Sequence, residues 1–131
     1  MDGKVLVAKA KGASNTFLPG GHIEFGEKAE DALRREIFEE MGLVIDSTTF
    51  LGAIEHKFED AEHLNLEIAL VFRASISDLD PKDKPISLES HLEFFWLKPD
   101  ELVRANLKPA PLIELISCLD EKSGAFWGST I

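Results

Sequence analysis

The chain has no tyrosine and a single cysteine, Cys118, so no disulfide can close within it. Cys118 sits in an apolar helical pattern with Leu112, Ile113, Leu115, Ile116 and Leu119, which reads as an inert packing thiol in a reducing compartment rather than a nucleophile. Long apolar runs are missing too. Nothing approaches the roughly 18 residues of a membrane span. The N-terminus also lacks the basic, apolar, then small-residue order of a secretory signal. These absences predict a cytoplasmic protein with no membrane partner. Cations are scarce: 14 Lys and Arg face 24 Asp and Glu, for a net charge of -10. That balance argues against direct binding to nucleic-acid backbones, whose affinity comes from Lys and Arg replacing counterions. A phosphate-bearing substrate stays open, because a divalent cation held by acids reverses the local field.

What is present suffices for one compact domain over residues 1–131, since 44% of the residues are hydrophobic. Lys4 to Lys9 (KVLVAK) predicts a strand, ended by a Gly-Ala-Ser-Asn turn, and Thr16 to Leu18 a second short one stopped by Pro19-Gly20-Gly21. From Glu27 the period changes to about 3.6. Ala29, Leu33, Ile37 and Met41 form one ridge, acids crowd the first turn, and Gly42 ends the helix. Thr49 to Phe58 and Leu64 to Ile76 read as two long strands joined by EDAEH. The second alternates, with Leu64, Leu66, Ile68, Leu70 and Phe72 on one face. Asp78 to Ser90 reads as a charged surface loop, Glu93 to Leu97 as a last strand, Pro99 to Arg104 as a short helix and Pro109 to Leu119 as a terminal helix. The order predicts an α+β fold, a mixed sheet sandwiched between helices.

The first helix poses a problem. With Glu36 at zero and 100 degrees per residue, Ala29 falls at about 20 degrees, Glu40 at about 40, Leu33 at about 60 and Ile37 at about 100. Glu40 is therefore inside the apolar arc, and Glu36 and Glu39 border it, where a solvated acidic face would lie opposite. Two unit charges about 4 Å apart repel by roughly 1 kcal/mol in water and about 4 kcal/mol at the effective dielectric of a protein surface. Raised pKa values relieve such crowding. So does a hard cation, and clustered carboxylate oxygens are what Mg²⁺ or Mn²⁺ prefers.

Residues 21 to 43, GHIEFGEKAEDALRREIFEEMGL, match the Nudix box G-x5-E-x7-R-E-U-x-E-E-x-G-U at Gly21, Glu27, Arg35, Glu36, Ile37, Glu39, Glu40, Gly42 and Leu43. The chain thus resembles the Nudix hydrolases, and its order of strands and helices resembles their fold over nearly its whole length. The resemblance implies metal-dependent hydrolysis of the pyrophosphate bond of a nucleoside diphosphate linked to another group, with Mg²⁺ or Mn²⁺ as cofactor and a nucleotide as partner. It implies Glu36, Glu39, Glu40 and the Gly20 carbonyl as metal ligands, with Glu36 also a candidate general base. It implies that Arg35 pairs with a glutamate such as Glu27 and holds the acids in position, while Gly21, Glu27 and Gly42 orient the loop and helix. Glu89 sits where relatives carry a loop glutamate that serves as ligand or base, with Glu93 its rival. Phe17, Phe58 and Trp127 are aromatic candidates for stacking on a base, with core packing as the alternative.

The pattern departs from the family in one place. Relatives usually carry a full strand before KVLVAK, which here starts almost at residue 1. Either the sheet is a strand short, or another chain supplies the strand, or the stated start lies inside a longer reading frame. A lean on homodimerisation is expected. The tyrosine and proline marks of diadenosine polyphosphate and ADP-ribose hydrolases are absent, which leaves a nucleoside triphosphate or small nucleotide derivative. The alternative is a catalytically silent Nudix module that senses nucleotide or binds protein, although such modules generally lose the box glutamates kept here.

Overall fold

The computed structural model describes residues 1–121 and 124–131. In chain order these form β1 (Val5–Ala10), α1 (Ala29–Met41), β2 (Ser47–Glu59), β3 (Leu64–Ser75), β4 (Leu92–Leu97), a 3-10 turn (Pro99–Glu101), α2 (Pro111–Ser117) and β5 (Phe126–Ser129).

β1 and β4 pair antiparallel with Ala8 opposite Phe94 and Val7 opposite Phe95. Strand alternation sends these pairs to opposite faces. Val7 joins a buried cluster with Ile54, Val71, Leu102, Leu107 and the α2 residues Leu112, Leu115 and Ile116. Ala8 and Phe94 join a second cluster with Ile37 and Met41 of α1, Ile45, Ile76 and Leu92. The two helices therefore cover opposite faces, which makes the expected sandwich.

The strands do not form one continuous sheet. They form a two-stranded sheet, β1–β4, and a three-stranded sheet ordered β3–β2–β5. The second is mixed, because β3 runs antiparallel and β5 parallel to β2. β5 was not foreseen from the sequence, being short and interrupted by Gly128. Its place is made by Gly52 at the β2 bulge, where a side chain would overlap the Phe126 backbone.

Other differences are local. Thr16 to Leu18 is not a strand: Phe17 bridges Ala8 and Thr16 bridges Leu107, one residue each, and the Thr16 hydroxyl donates to the Ala105 carbonyl at 3.0 Å. α1 starts at Ala29 rather than Glu27, whose carboxylate instead accepts the Glu24 N–H at 3.1 Å. α2 is confined to 111–117, so Cys118 caps it half-buried instead of packing in the core. The apolar stripe of β3 lies largely open, with Leu64 73% and Leu66 66% exposed, because Ile37 and Met41 pack on Ala8 and Phe94 instead. Among the described residues, no helix is long and apolar enough to cross a membrane.

Candidate active site

The α1 pattern places Ile37 and Met41 in the core, and Glu40 goes in with them at 7% exposure. Its Oε2 is buried without a hydrogen-bond partner among the described residues. Such an atom is costly unless something neutralises it. Burial pushes the Glu40 carboxyl up to about 7, with the charges of Glu36, Glu89 and Glu39 adding to the effect. Glu36 is half-buried and Glu39 exposed, as their border positions on the helix predict.

Arg35 is the hub of the neighbouring network. Its Nε and Nη2 donate to the two oxygens of Glu27 at 2.8 and 3.0 Å, the two-pronged geometry that suits a guanidinium. Nη2 also donates to the His22 carbonyl at 3.0 Å, and Nη1 to Glu36 at 2.9 Å and Glu39 at 3.4 Å. The Arg35 hydrogen bonds, followed by the Glu24 N–H, hold the Glu27 carboxyl down to about 2. Glu27 and Glu36 in turn raise the guanidinium pKa. One side chain thus ties the loop before α1 to the acids on it.

Gly21 lies directly against Glu36, and a Cβ there would overlap that carboxylate. Gly20 has φ 147°, a conformation that L side chains rarely adopt, and it brings the loop beside Leu33. At the far end of α1, Gly42 is left-handed at φ 69° and its N–H closes on the Phe38 carbonyl at 2.8 Å.

Glu89 is brought to this centre from a distant stretch of chain. The Leu88 N–H donates to the Glu40 carbonyl at 2.8 Å, and the Ser87 hydroxyl donates to the Glu89 carbonyl at 2.8 Å, which docks the loop on the end of α1. Glu93 is held elsewhere, opposite Lys9 in the β1–β4 ladder, and does not contribute to the Glu40 perturbation. The Leu88 contact had no signal in the sequence, since it joins backbone groups of an irregular loop and a distant helix.

Phe17 and Phe58 border a large cavity that also reaches Gly20 and Gly21. Phe17 is half-buried beside Ala8, while Phe58 stacks on His56 with centroids 5.1 Å apart. Trp127 is 60% exposed on β5, paired with Ala53 of β2.

A divalent cation suits the donor set: one orphaned buried carboxylate oxygen, two further carboxylates on the same turn, and a loop whose glycine leaves room beside Glu36. Among the described residues no three acid or imidazole side chains converge on one point; Glu36 and Glu39 are bonded to Arg35 instead.

The NUDIX domain profile matches residues 1–116. A nucleoside triphosphatase NudI from Escherichia fergusonii is 33% identical over 120 residues, covering 83% of each chain. The crystal structure of a MutT NUDIX hydrolase from Burkholderia pseudomallei superposes with a TM-score of 0.69 at 30% identity, covering 88% of each chain. A MutT protein structure from Bacillus halodurans reaches 0.71 at 18% identity over 97% of this chain and 80% of the other, a likeness of fold. The box residues, their placement on and around α1 and these relatives agree: the chain belongs to the Nudix family of pyrophosphohydrolases.

Proposed function

We propose that the protein hydrolyses the pyrophosphate bond of a nucleoside diphosphate linked to a further group, a nucleoside triphosphate being the favoured case, and releases a nucleoside monophosphate and the phosphorylated remainder. The observation that carries the reading is Glu40, a carboxylate buried in the core side of α1 with an oxygen that no described residue satisfies. A fold tolerates that arrangement when the group has work to do there. The 33% identical relative bears the name of a nucleoside triphosphatase, which supports the triphosphate as first choice.

Glu36, Glu39, Glu40 and the Gly20 carbonyl would hold Mg²⁺ or Mn²⁺. When bound, that ion neutralises phosphate charge and acidifies water for attack on phosphorus. The chain's own residues do the rest. Arg35 fixes the loop and helix relative to each other, so that the loop carrying Gly20 and Gly21 stays beside the Glu36 carboxylate. Glu89, delivered by the docked loop, or Glu36 takes the proton from the attacking water. Phe17 and Phe58 offer flat apolar surface to a base.

The test is a panel of nucleoside triphosphates and nucleotide derivatives with and without Mg²⁺, run alongside Glu40→Gln. The expected result is metal-dependent release of a nucleoside monophosphate, lowered more than about tenfold in the variant. Full activity in Glu40→Gln would remove the ligand assignment. Failure of every nucleotide to turn over would remove the enzymatic reading.

A further inference from the structure

Period-two alternation ordinarily turns the apolar side chains of a strand toward the core. In β3 the sense is inverted. Leu64, Leu66, Ile68 and Leu70 are 43–73% exposed, whereas Asn65, Glu67 and Ala69 between them are more covered and Val71 is buried. The ladder carries this open face across the sheet. Leu64 pairs with Glu59, Leu66 with Lys57, Ile68 with Glu55 and Leu70 with Ala53, and Trp127 of β5 lies on the other side of Ala53. Paired residues share a face, so Trp127 and the four β3 side chains form one apolar surface. Phe50, edge-on to Phe72 with ring centroids 5.5 Å apart, extends it. The surface stops at α1, where Glu30 accepts the Thr48 hydroxyl at 2.9 Å.

Its area and its charges decide what fits it. At about 200 Å² for a fully exposed large apolar residue, these six side chains present about 700 Å². Monomers seldom leave more than about 600 Å² in one apolar patch. A stable interface takes about 800 Å² from each partner. The charged residues on the face are Glu55, Lys57 and Glu59, two acids and one base, so two copies meeting here bring together little of the chain's net charge of -10.

We infer that the outward face of the β3–β2–β5 sheet is a homodimer interface, with two copies stacked sheet on sheet about a two-fold axis. An axis that crosses β2 and β3 between the Leu66–Lys57 and Ile68–Glu55 pairs runs the strands of the two copies antiparallel. It sets Leu66 over Ile68 of the second copy, Leu64 over Leu70 of the second copy and Lys57 over Glu55 of the second copy. Both ion pairs form at once, because the two-fold repeats each contact. Sheets aligned in this way pack about 10 Å apart, which apolar side chains of this size fill. The hairpin turn of the second copy, residues 60–63, then ends beside α1 and does not run into it.

The experiment needs no catalysis. The full chain is followed by sedimentation equilibrium in chelator-containing buffer at about 0.15 M salt, alongside Leu66→Asp, Lys57→Glu and the exchanged pair Lys57→Glu with Glu55→Lys. All three substitutions lie on the open face, and circular dichroism checks that each variant folds. The parent is expected to be mostly dimeric at about 10 µM, with the dissociation constant raised at least tenfold by Leu66→Asp and by Lys57→Glu alone, and returned to within threefold of the parent by the exchanged pair. A parent that stays monomeric at about 100 µM, or a dimer that neither single substitution weakens, would overturn the inference. An exchanged pair no tighter than Lys57→Glu alone would overturn the antiparallel register. Should Leu66→Asp not fold, the charge exchange decides the matter by itself.

Discussion

Glu40→Gln is the variant that separates the two demands on α1, and it is expected to make the protein more stable. The Glu40 carboxyl titrates near 7 in the fold against an ordinary 4.5, chiefly because it is buried. The folded chain thus binds this proton more tightly than the unfolded one, so stability is full below about 4.5 and falls as pH rises through about 7. The gap between those values corresponds to at most about 3 kcal/mol at pH 8. Glutamine keeps the shape, carries no charge, and its amide can donate toward the neighbouring carboxylates of Glu36 or Glu89. In chelator-containing buffer, thermal unfolding at pH 5, 6, 7 and 8 should show the variant matching the parent at pH 5 and exceeding it by up to about 10 °C at pH 8 for a domain of this size. Acids remote from Glu40 titrate alike in both proteins and cancel. A variant less stable than the parent at pH 8, or a gain independent of pH, would refute the claim that an uncompensated buried charge sits at Glu40.

Adding Mn²⁺ at pH 8 should raise the Tm of the parent and leave Glu40→Gln within about 1 °C of its metal-free value, read by the same thermal scans. Gly21→Ala places a methyl group on the Glu36 carboxylate, so nucleotide turnover should drop at least tenfold while far-ultraviolet circular dichroism is unchanged. Arg35→Lys cannot reproduce the two-pronged contact to Glu27 together with the His22 carbonyl contact, and kcat/KM should fall about 10–100-fold in the same assay. Gly42→Ala forces a side chain into the left-handed end of α1 and should lower stability by about 1–2 kcal/mol in urea titration.

The site was legible where it follows from local periodicity. The angular position of Glu40 among Ala29, Leu33 and Ile37 anticipated its burial, and the pairing of Arg35 with Glu27 followed from the box resemblance. The docking of the 87–90 loop on Glu40 was not legible, since hydrogen bonds between backbone groups forty-odd residues apart leave no mark in side-chain type. The fold was legible in its long elements and illegible in its connections. β2 and β3 came through because each is long and joined by a short polar turn. β5 has four residues and pairs with a strand some seventy residues earlier, and the split into two sheets depends on which edges meet, which alternation within a strand does not encode.

The alternation of Val7 and Ala8 between the two cores has a consequence for synthesis on the ribosome. One core needs Phe94 and the other Leu112 through Ile116, yet both need β1, which is made first. β1 and the acid-bearing α1 are therefore made well before the residues that complete either core, and their apolar faces stay uncovered until those residues arrive. Closure waits for Phe94 on one side and for Leu112 through Ile116 on the other, and a pause placed before them lengthens the time in which chaperones, or other nascent chains, find that strand unguarded.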